Sequence, residues 1–106
     1  MRLNPIAPAN YLHDLSMGYY FLGRYKDAIE MNERALKRTP NDVFAHMHSA
    51  AAYSALGREE EARHQAQELL RLDPSFSVDK WAETIVIKDK AELERFIDDL
   101  RKAGLK

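Results

Sequence analysis

The chain has 106 residues, of which 45% are apolar and 31% are charged, and this composition excludes a disordered or collagen-like polypeptide. It contains no cysteine, which excludes a disulfide framework, a thiolate metal site and a thiol nucleophile. The net charge of −1 lacks the basic surplus that drives binding to nucleic acid or acidic membranes. The apolar runs are shorter than a membrane span, and no apolar block follows the N-terminus. We therefore expect a soluble, cytoplasmic chain without nucleic-acid or membrane partners.

The chain repeats itself with a period of 34 residues, and seven positions carry the same residue one period later, where chance would give roughly two. Apolar residues recur between these positions at three- and four-residue spacing, which predicts amphipathic helices. Glycine favours the left-handed conformation that ends many helices, and proline cannot continue one, so each period predicts a helical hairpin. The identical pairs are Tyr19 and Tyr53, Leu22 and Leu56, Gly23 and Gly57, Arg24 and Arg58, Ala28 and Ala62, Leu36 and Leu70, and Pro40 and Pro74.

The repeat divides the chain into four predicted segments. An Arg-Leu-Asn-Pro sequence near the N-terminus matches the Arg-Leu-Asp-Pro sequence at the end of the second unit. Because a natural protein rarely starts in the last turn of a repeat, we expect the chain to be a fragment of a larger protein. The segments are residues 1–8, the tail of a preceding repeat and the lead-in to the first unit; residues 9–42, the first unit; residues 43–76, the second unit; and residues 77–106, a degenerate third hairpin that caps the stack.

Several helix boundaries can be predicted from capping residues. Asn41 and Asp42 are N-cap candidates for the first helix of the second unit. Residues 77–87 form an amphipathic segment around Trp81, and residues 89–92, Asp-Lys-Ala-Glu, form a capping box that opens the last helix. Gly104 can end that helix.

The two units resemble the tetratricopeptide repeat, a helix–turn–helix with the pattern W-x₂-L-G-x₂-Y followed by small residues, an aromatic and a closing proline. Both units carry the Tyr, Ala and Pro of the family pattern. Asn32 in the first unit and Ala66 in the second stand where the pattern has an aromatic residue. His46 and Ser49 replace the Trp and Leu in the second unit. The matching residues are Leu15, Tyr19, Ala28, Ala35 and Pro40 in the first unit, and Tyr53, Ala62 and Pro74 in the second. The resemblance implies an all-α fold, a right-handed α–α superhelix of helix hairpins with a C-terminal capping hairpin.

The resemblance also implies a concave groove lined by the first helix of each unit. The predicted lining is rich in aromatic residues and methionine, which suits an extended peptide or a partner helix. A second interpretation remains open, in which Tyr20, Phe21 and Phe44 pack on the missing repeat, on a neighbouring subunit or within the chain. In that case the cut N-terminal edge provides a surface for a homodimer. The predicted groove residues are Asn10, His13, Asp14, Met17, Tyr20, Phe21, Phe44, Met47, His48, Ala51 and Ser54.

One subtype of the family is not implied by these residues. Tetratricopeptide domains that bind the acidic C-terminal tails of chaperones use a set of Lys, Arg and Asn side chains in the groove. Here the corresponding positions hold His13, Met17 and His48. The basic clamp is therefore not expected.

The sequence offers no constellation for a catalytic, cofactor or metal site. His46 and His48 are two residues apart, which directs them about 200° apart on a helix. The acidic run Glu59 to Glu61 begins a helix, where it interacts favourably with the helix dipole. No nucleophile motif and no glycine-rich phosphate loop is present. We therefore predict that the chain is not an enzyme and carries no cofactor.

The prediction is a non-catalytic protein–protein interaction module that binds a peptide or partner helix in its groove. The alternative is a regulatory or oligomerisation segment of a bacterial signalling enzyme such as a nucleotide cyclase. It depends on the tail from Phe76 to Leu105, which resembles the C-terminal ends of repeat regions in such proteins.

Overall fold

The computed structural model describes residues 9–85 and 89–106, and in these ranges the chain is all-helical, with six α-helices and no strand. The all-α prediction is confirmed. The predicted segment 1–8 lies outside the described residues. None of the helices in the described ranges is long and apolar enough to cross a membrane. The helices are α1, Ala9–Phe21; α2, Tyr25–Arg38; α3, Val43–Ala55; α4, Glu59–Leu72; α5, Val78–Thr84; and α6, Lys90–Lys102.

The first four helices form a stack of two hairpins. Helix α1 packs on α2 and α3 packs on α4, while α2 and α3 join the two hairpins and α1 also contacts α3. The alanines of the repeat are fully buried, with Ala28 0% and Ala62 1% exposed. Short side chains at these positions allow the helices to approach closely. The unit boundaries at residues 42 and 76 stay a prediction, but each predicted unit contains one of the observed hairpins.

Each hairpin turns at a glycine in the left-handed conformation. Gly23 has φ +80° and Gly57 has φ +78°. A Cβ atom makes the left-handed conformation unfavourable for other residues, so the same turn requires a glycine in both hairpins. The repeat therefore extends from sequence to backbone conformation.

The side chains next to the two turns also repeat. The amide of Arg24 donates to the carbonyl of Tyr19 and that of Arg58 to the carbonyl of Tyr53, both at 2.9 Å. Each guanidinium lies over the ring of the same tyrosine, at 4.9 Å from the ring centre in the first hairpin and 5.1 Å in the second. These cation–π contacts fix the same connection between consecutive helices.

Two helices begin at aspartates as the sequence predicts. The Oδ1 atom of Asp42 accepts from the amide of Ala45 at 3.2 Å and caps α3. The Oδ1 atom of Asp89 accepts from the amides of Ala91 and Glu92 and caps α6, at 2.9 and 3.3 Å. Of the two candidates for α3, Asp42 is thus the cap.

The C-terminal segment departs from the arrangement of the first two hairpins. Helix α5 is seven residues long and ends at Thr84, since Ile85 is extended, and residues 86 and 87 of the predicted segment 77–87 lie outside the described residues. Helix α6 packs mainly against α3 and has a smaller contact with α5. After Gly104, at φ +105°, the chain returns to α5, where the carbonyl of Lys106 accepts from the amide of Val78 at 2.8 Å.

Candidate partner-binding groove

Helix α6 lies against α1 and α3, the two helices expected to line the groove. The ring of Phe96 is its central contact. Its centre is 5.1 Å from that of Tyr20, 6.3 Å from Phe21 and 6.0 Å from His48, and Trp81 of α5 approaches to 5.2 Å. Phe96 is fully buried among these rings. Edge-to-face and tilted ring contacts of this kind add to the stabilisation from burial.

A buried hydrogen bond connects α6 to α1 beside this aromatic cluster. The hydroxyl of Tyr20 donates to the Oδ2 atom of Asp99. Burial raises the pKa of Asp99, against the opposing effects of the bond from Tyr20 and the positive charge of Lys102. Burial first, and then the bond to Asp99, also raises the pKa of Tyr20. Tyr20 thus remains a neutral donor that fixes the position of α6 along α1.

A second polar cluster lies between α1 and the start of α3. The Nε2 atom of His13 is 2.6 Å from the Oδ2 atom of Asp42. Its ring centre is 5.7 Å from that of His48 and 5.8 Å from that of Phe44. Burial, and next the proximity of His13, lower the pKa of His48 to about 3. His48 is therefore neutral at physiological pH.

The side chains of this cluster are not arranged as a metal site. Across residues 9–85 and 89–106, no group of three or more His, Cys, Asp or Glu side chains could hold a metal ion. His46, which the sequence places two positions from His48, points elsewhere. Its Nδ1 atom is 2.7 Å from the Oε1 atom of Gln65, and its Nε2 atom is 3.1 Å from the carbonyl of Pro40. His46 therefore connects α3 to α4 and to the preceding loop.

The predicted groove residues divide into a covered part and an open part. The covered part comprises Tyr20, Phe21, Met47, His48 and Ala51, which are buried or half-buried in or beside the cluster that contains Phe96 and Leu100. The open part comprises Asp14 and Phe44, which are exposed, together with the half-buried His13 beside Phe44, while the half-buried Met17 packs against the covered cluster. Ser54 is half-buried near the α3–α4 turn, and the side chain of Asn10 lies outside the described residues. For Tyr20 and Phe21, packing within the chain is the arrangement observed.

The open part continues into a cleft of about 330 Å³ between the start of α3 and helix α5. Phe44 is 52% exposed at its edge, and Phe76 and Trp81 contribute two further aromatic side chains. Lys80 is the positively charged residue that lines the cleft. Phe76 and Trp81 were not among the predicted groove residues. The sequence signal for them was one large aromatic directly before the short amphipathic segment, Phe76, and one in its middle, Trp81.

The repeated turn, the buried alanines and the hairpin stack agree with the protein family that the sequence matches. The tetratricopeptide repeat family matches residues 22–79, more than half of the chain. The chain belongs to the tetratricopeptide repeat family. Its two hairpins therefore provide the scaffold type that this family uses for interaction with proteins.

Three curated relatives also match the chain. Hsp70-Hsp90 organizing protein 3 of Arabidopsis thaliana is 38% identical over 60 residues, 57% of this chain and 11% of that protein. Hsp70-Hsp90 organizing protein 2 of Arabidopsis thaliana is 38% identical over 53 residues, 50% of this chain and 9% of that protein. Hsp70-Hsp90 organizing protein 1 of Glycine max is 37% identical over 54 residues, 51% of this chain and 9% of that protein.

These comparisons support a protein-interaction scaffold. The chain spans only about a tenth of the length of the relatives, 9–11% in each case. The likeness therefore concerns a pair of repeats and not a whole protein. The alternative of a segment from a bacterial signalling enzyme is not favoured by them.

Proposed function

We propose that this scaffold binds a peptide or helix of a protein partner on the concave side of its two hairpins, with the first contact at the open part of the groove. The observation that carries the proposal is the exposure of Phe44 beside the cleft that contains Phe76 and Trp81. Single exposed apolar residues are common on protein surfaces. An exposed aromatic next to two others around a cleft is the arrangement that interface hot spots use.

The chemistry of the groove favours an apolar partner over an acidic one. The names of the relatives suggest a chaperone as the partner, and its acidic tail would be the segment bound. The positions that would hold the basic clamp for an acidic tail carry His13, Met17 and His48, and the pKa of His48 is lowered to about 3. None of these positions therefore holds a Lys or an Arg, and His48 carries no charge at neutral pH. We accordingly propose a partner segment that presents a large apolar side chain to the cleft.

The remaining parts of the proposal concern the parent protein. A cytoplasmic location, a role inside a longer polypeptide and homodimerisation through the N-terminal edge are predictions that separate experiments test. Cell fractionation tests the first, the parent reading frame tests the second, and sedimentation at increasing concentration tests the third. The absence of catalysis in this segment is also part of the proposal.

The groove is tested by comparing two exposed apolar residues on different surfaces. Peptides selected from a random library against the full chain are measured by fluorescence anisotropy with wild type, Phe44→Ser and the control Leu22→Ser. Leu22 is 73% exposed at the end of α1, so both variants remove an exposed apolar side chain. We expect Phe44→Ser to weaken binding by about tenfold or more, as at a hot spot, and Leu22→Ser to have no effect.

Circular dichroism should show the same helicity for both variants, because neither side chain is in the core. Selected peptides that bind wild type and Phe44→Ser equally well would contradict the assignment of the site.

A further inference from the structure

We propose that the covered part of the groove is itself a helix-binding site, and that α6 occupies it in place of a partner helix with the same surface chemistry. This inference rests on the proposed function, since it concerns the adjoining part of the same groove. The partner that fits is an amphipathic helix with an aromatic residue, a carboxylate three positions later and an aliphatic residue directly after the carboxylate.

The contacts of α6 define this pattern. Asp99 and Leu100 follow Phe96 by three and four positions, which places all three on one face of the helix. Phe96 fills the space among the aromatic rings, and Leu100 is fully buried in the same cluster. Asp99 accepts the hydrogen bond from Tyr20. A helix that repeats this spacing reproduces every one of these contacts.

The pair formed by Tyr20 and Asp99 makes the site selective. Tyr20 is 2% exposed, so its hydroxyl has no ready access to water. A helix without an acceptor at this position would leave the hydroxyl buried and unpaired, which is more unfavourable than an apolar mismatch. The site therefore rejects amphipathic helices that present only apolar side chains.

The connections of α6 to the rest of the chain allow its replacement. Its packing is mainly on α3, and its ion pair between Arg101 and Asp79, at 2.8 Å, is exposed on both sides. Exposed ion pairs contribute little to stability. A second apolar cluster joins the two hairpins without involving α6, and it is formed by Leu12, Met31, Ala35 and Ala45. This second cluster stays in place when α6 leaves, whereas the main cluster loses Phe96 and Leu100 and needs the partner helix to supply equivalent side chains.

The experiment adds the sequence of α6 as a separate peptide. A fluorescent synthetic peptide with the sequence of residues 89–106 is titrated with the full chain and with its Phe96→Ala variant. The matched control peptide carries Phe96→Ala and Asp99→Lys. We expect the native-sequence peptide to bind the Phe96→Ala chain at least tenfold more tightly than wild type, because the internal helix competes less well. The control peptide should bind neither chain.

A second measurement uses the wild-type chain, so that the test does not depend on the folding of the variant. Excess native-sequence peptide should accelerate hydrogen exchange of the Leu100 and Leu105 amides in the chain, while amides of α2 keep their protection. Equal affinities for a folded variant and wild type, or unchanged exchange at Leu100 with peptide bound, would overturn the proposal. Exchange of α6 between two full chains without added peptide would also overturn it, in favour of a second copy as the occupant.

The outcome is independent of the test at Phe44. The peptide should bind chains carrying Phe44→Ser within twofold of its affinity for the matching chain without that change, because Phe44 lies in the open part. Loss of helix exchange with an intact effect of Phe44→Ser on selected peptides would remove this inference and leave the proposed function standing.

Discussion

The hairpins α1–α4 and the C-terminal helices α5 and α6 are held in place by contacts of different range. In the hairpins, a turn at Gly23 or Gly57 is followed by close packing of alanines only a few residues away, and the plan recurs one period later. Helix α6 instead depends on contacts with residues far away in the chain, such as the bond between Tyr20 and Asp99, 79 residues apart. The periodic part builds the groove, and the long-range part determines which portion of it is accessible.

The largest effect is expected from removing the ring that fixes α6. Phe96→Ala deletes a fully buried aromatic side chain that contacts four other rings, which should reduce the free energy of unfolding by about 3–5 kcal/mol. Urea unfolding followed by circular dichroism measures the change. The control Glu94→Ala removes an exposed side chain of the same helix and should be nearly neutral. An equal, small effect of both variants would show that α6 is not anchored by Phe96.

The sequence and the structure agree closely for the hairpins and less closely for α6, for a physical reason. Gly23, Pro40 and Asp42 act on their immediate neighbours, so their consequences can be predicted without a fold. Tyr20 looks like a groove residue because it has the right spacing on α1. Nothing within a few positions of Tyr20 indicates that Asp99 will bind its hydroxyl. The occupant of the groove is thus determined by a tertiary contact that periodicity does not encode.

The next effect should come from overfilling the hairpin region. Ala28→Leu adds volume at a position that is 0% exposed, where α1 and α2 approach closely, and should cost about 1–3 kcal/mol of stability. Ala91→Leu is the matched control, because Ala91 is exposed on α6. Thermal and urea unfolding of both variants give the comparison. Unchanged stability of Ala28→Leu would mean that the hairpin helices are farther apart than described.

A smaller effect is expected on the pH dependence of stability. The pKa of His48 is lowered from its ordinary value of 6.5 to about 3, so the unfolded chain binds a proton that the folded chain does not in this range. Stability should therefore fall as the pH drops below 6.5, with a contribution from His48 of about 2 kcal/mol at pH 5. The raised pKa of Asp99 acts in the opposite direction, because that stabilisation is lost as the pH rises.

Urea unfolding of His48→Gln at pH 7 and pH 5 separates the two contributions. The variant should lose less stability between these values than wild type, while the control His64→Gln, at an exposed histidine, should behave as wild type. If wild type and His48→Gln lose the same amount, the folded chain accommodates a charged His48 and the burial of this side chain is not maintained in solution.

The central claim is that the chain's own last helix covers part of the groove. Proton NMR of the full chain tests it most directly, through nuclear Overhauser effects between the ring protons of Phe96 and those of Tyr20. The two ring centres are 5.1 Å apart, so strong cross-peaks are predicted, together with cross-peaks from Phe96 to His48. Cross-peaks from Phe96 to Trp81 of α5 without any to Tyr20 or His48 would show that α6 packs as an ordinary end cap, and would contradict the account.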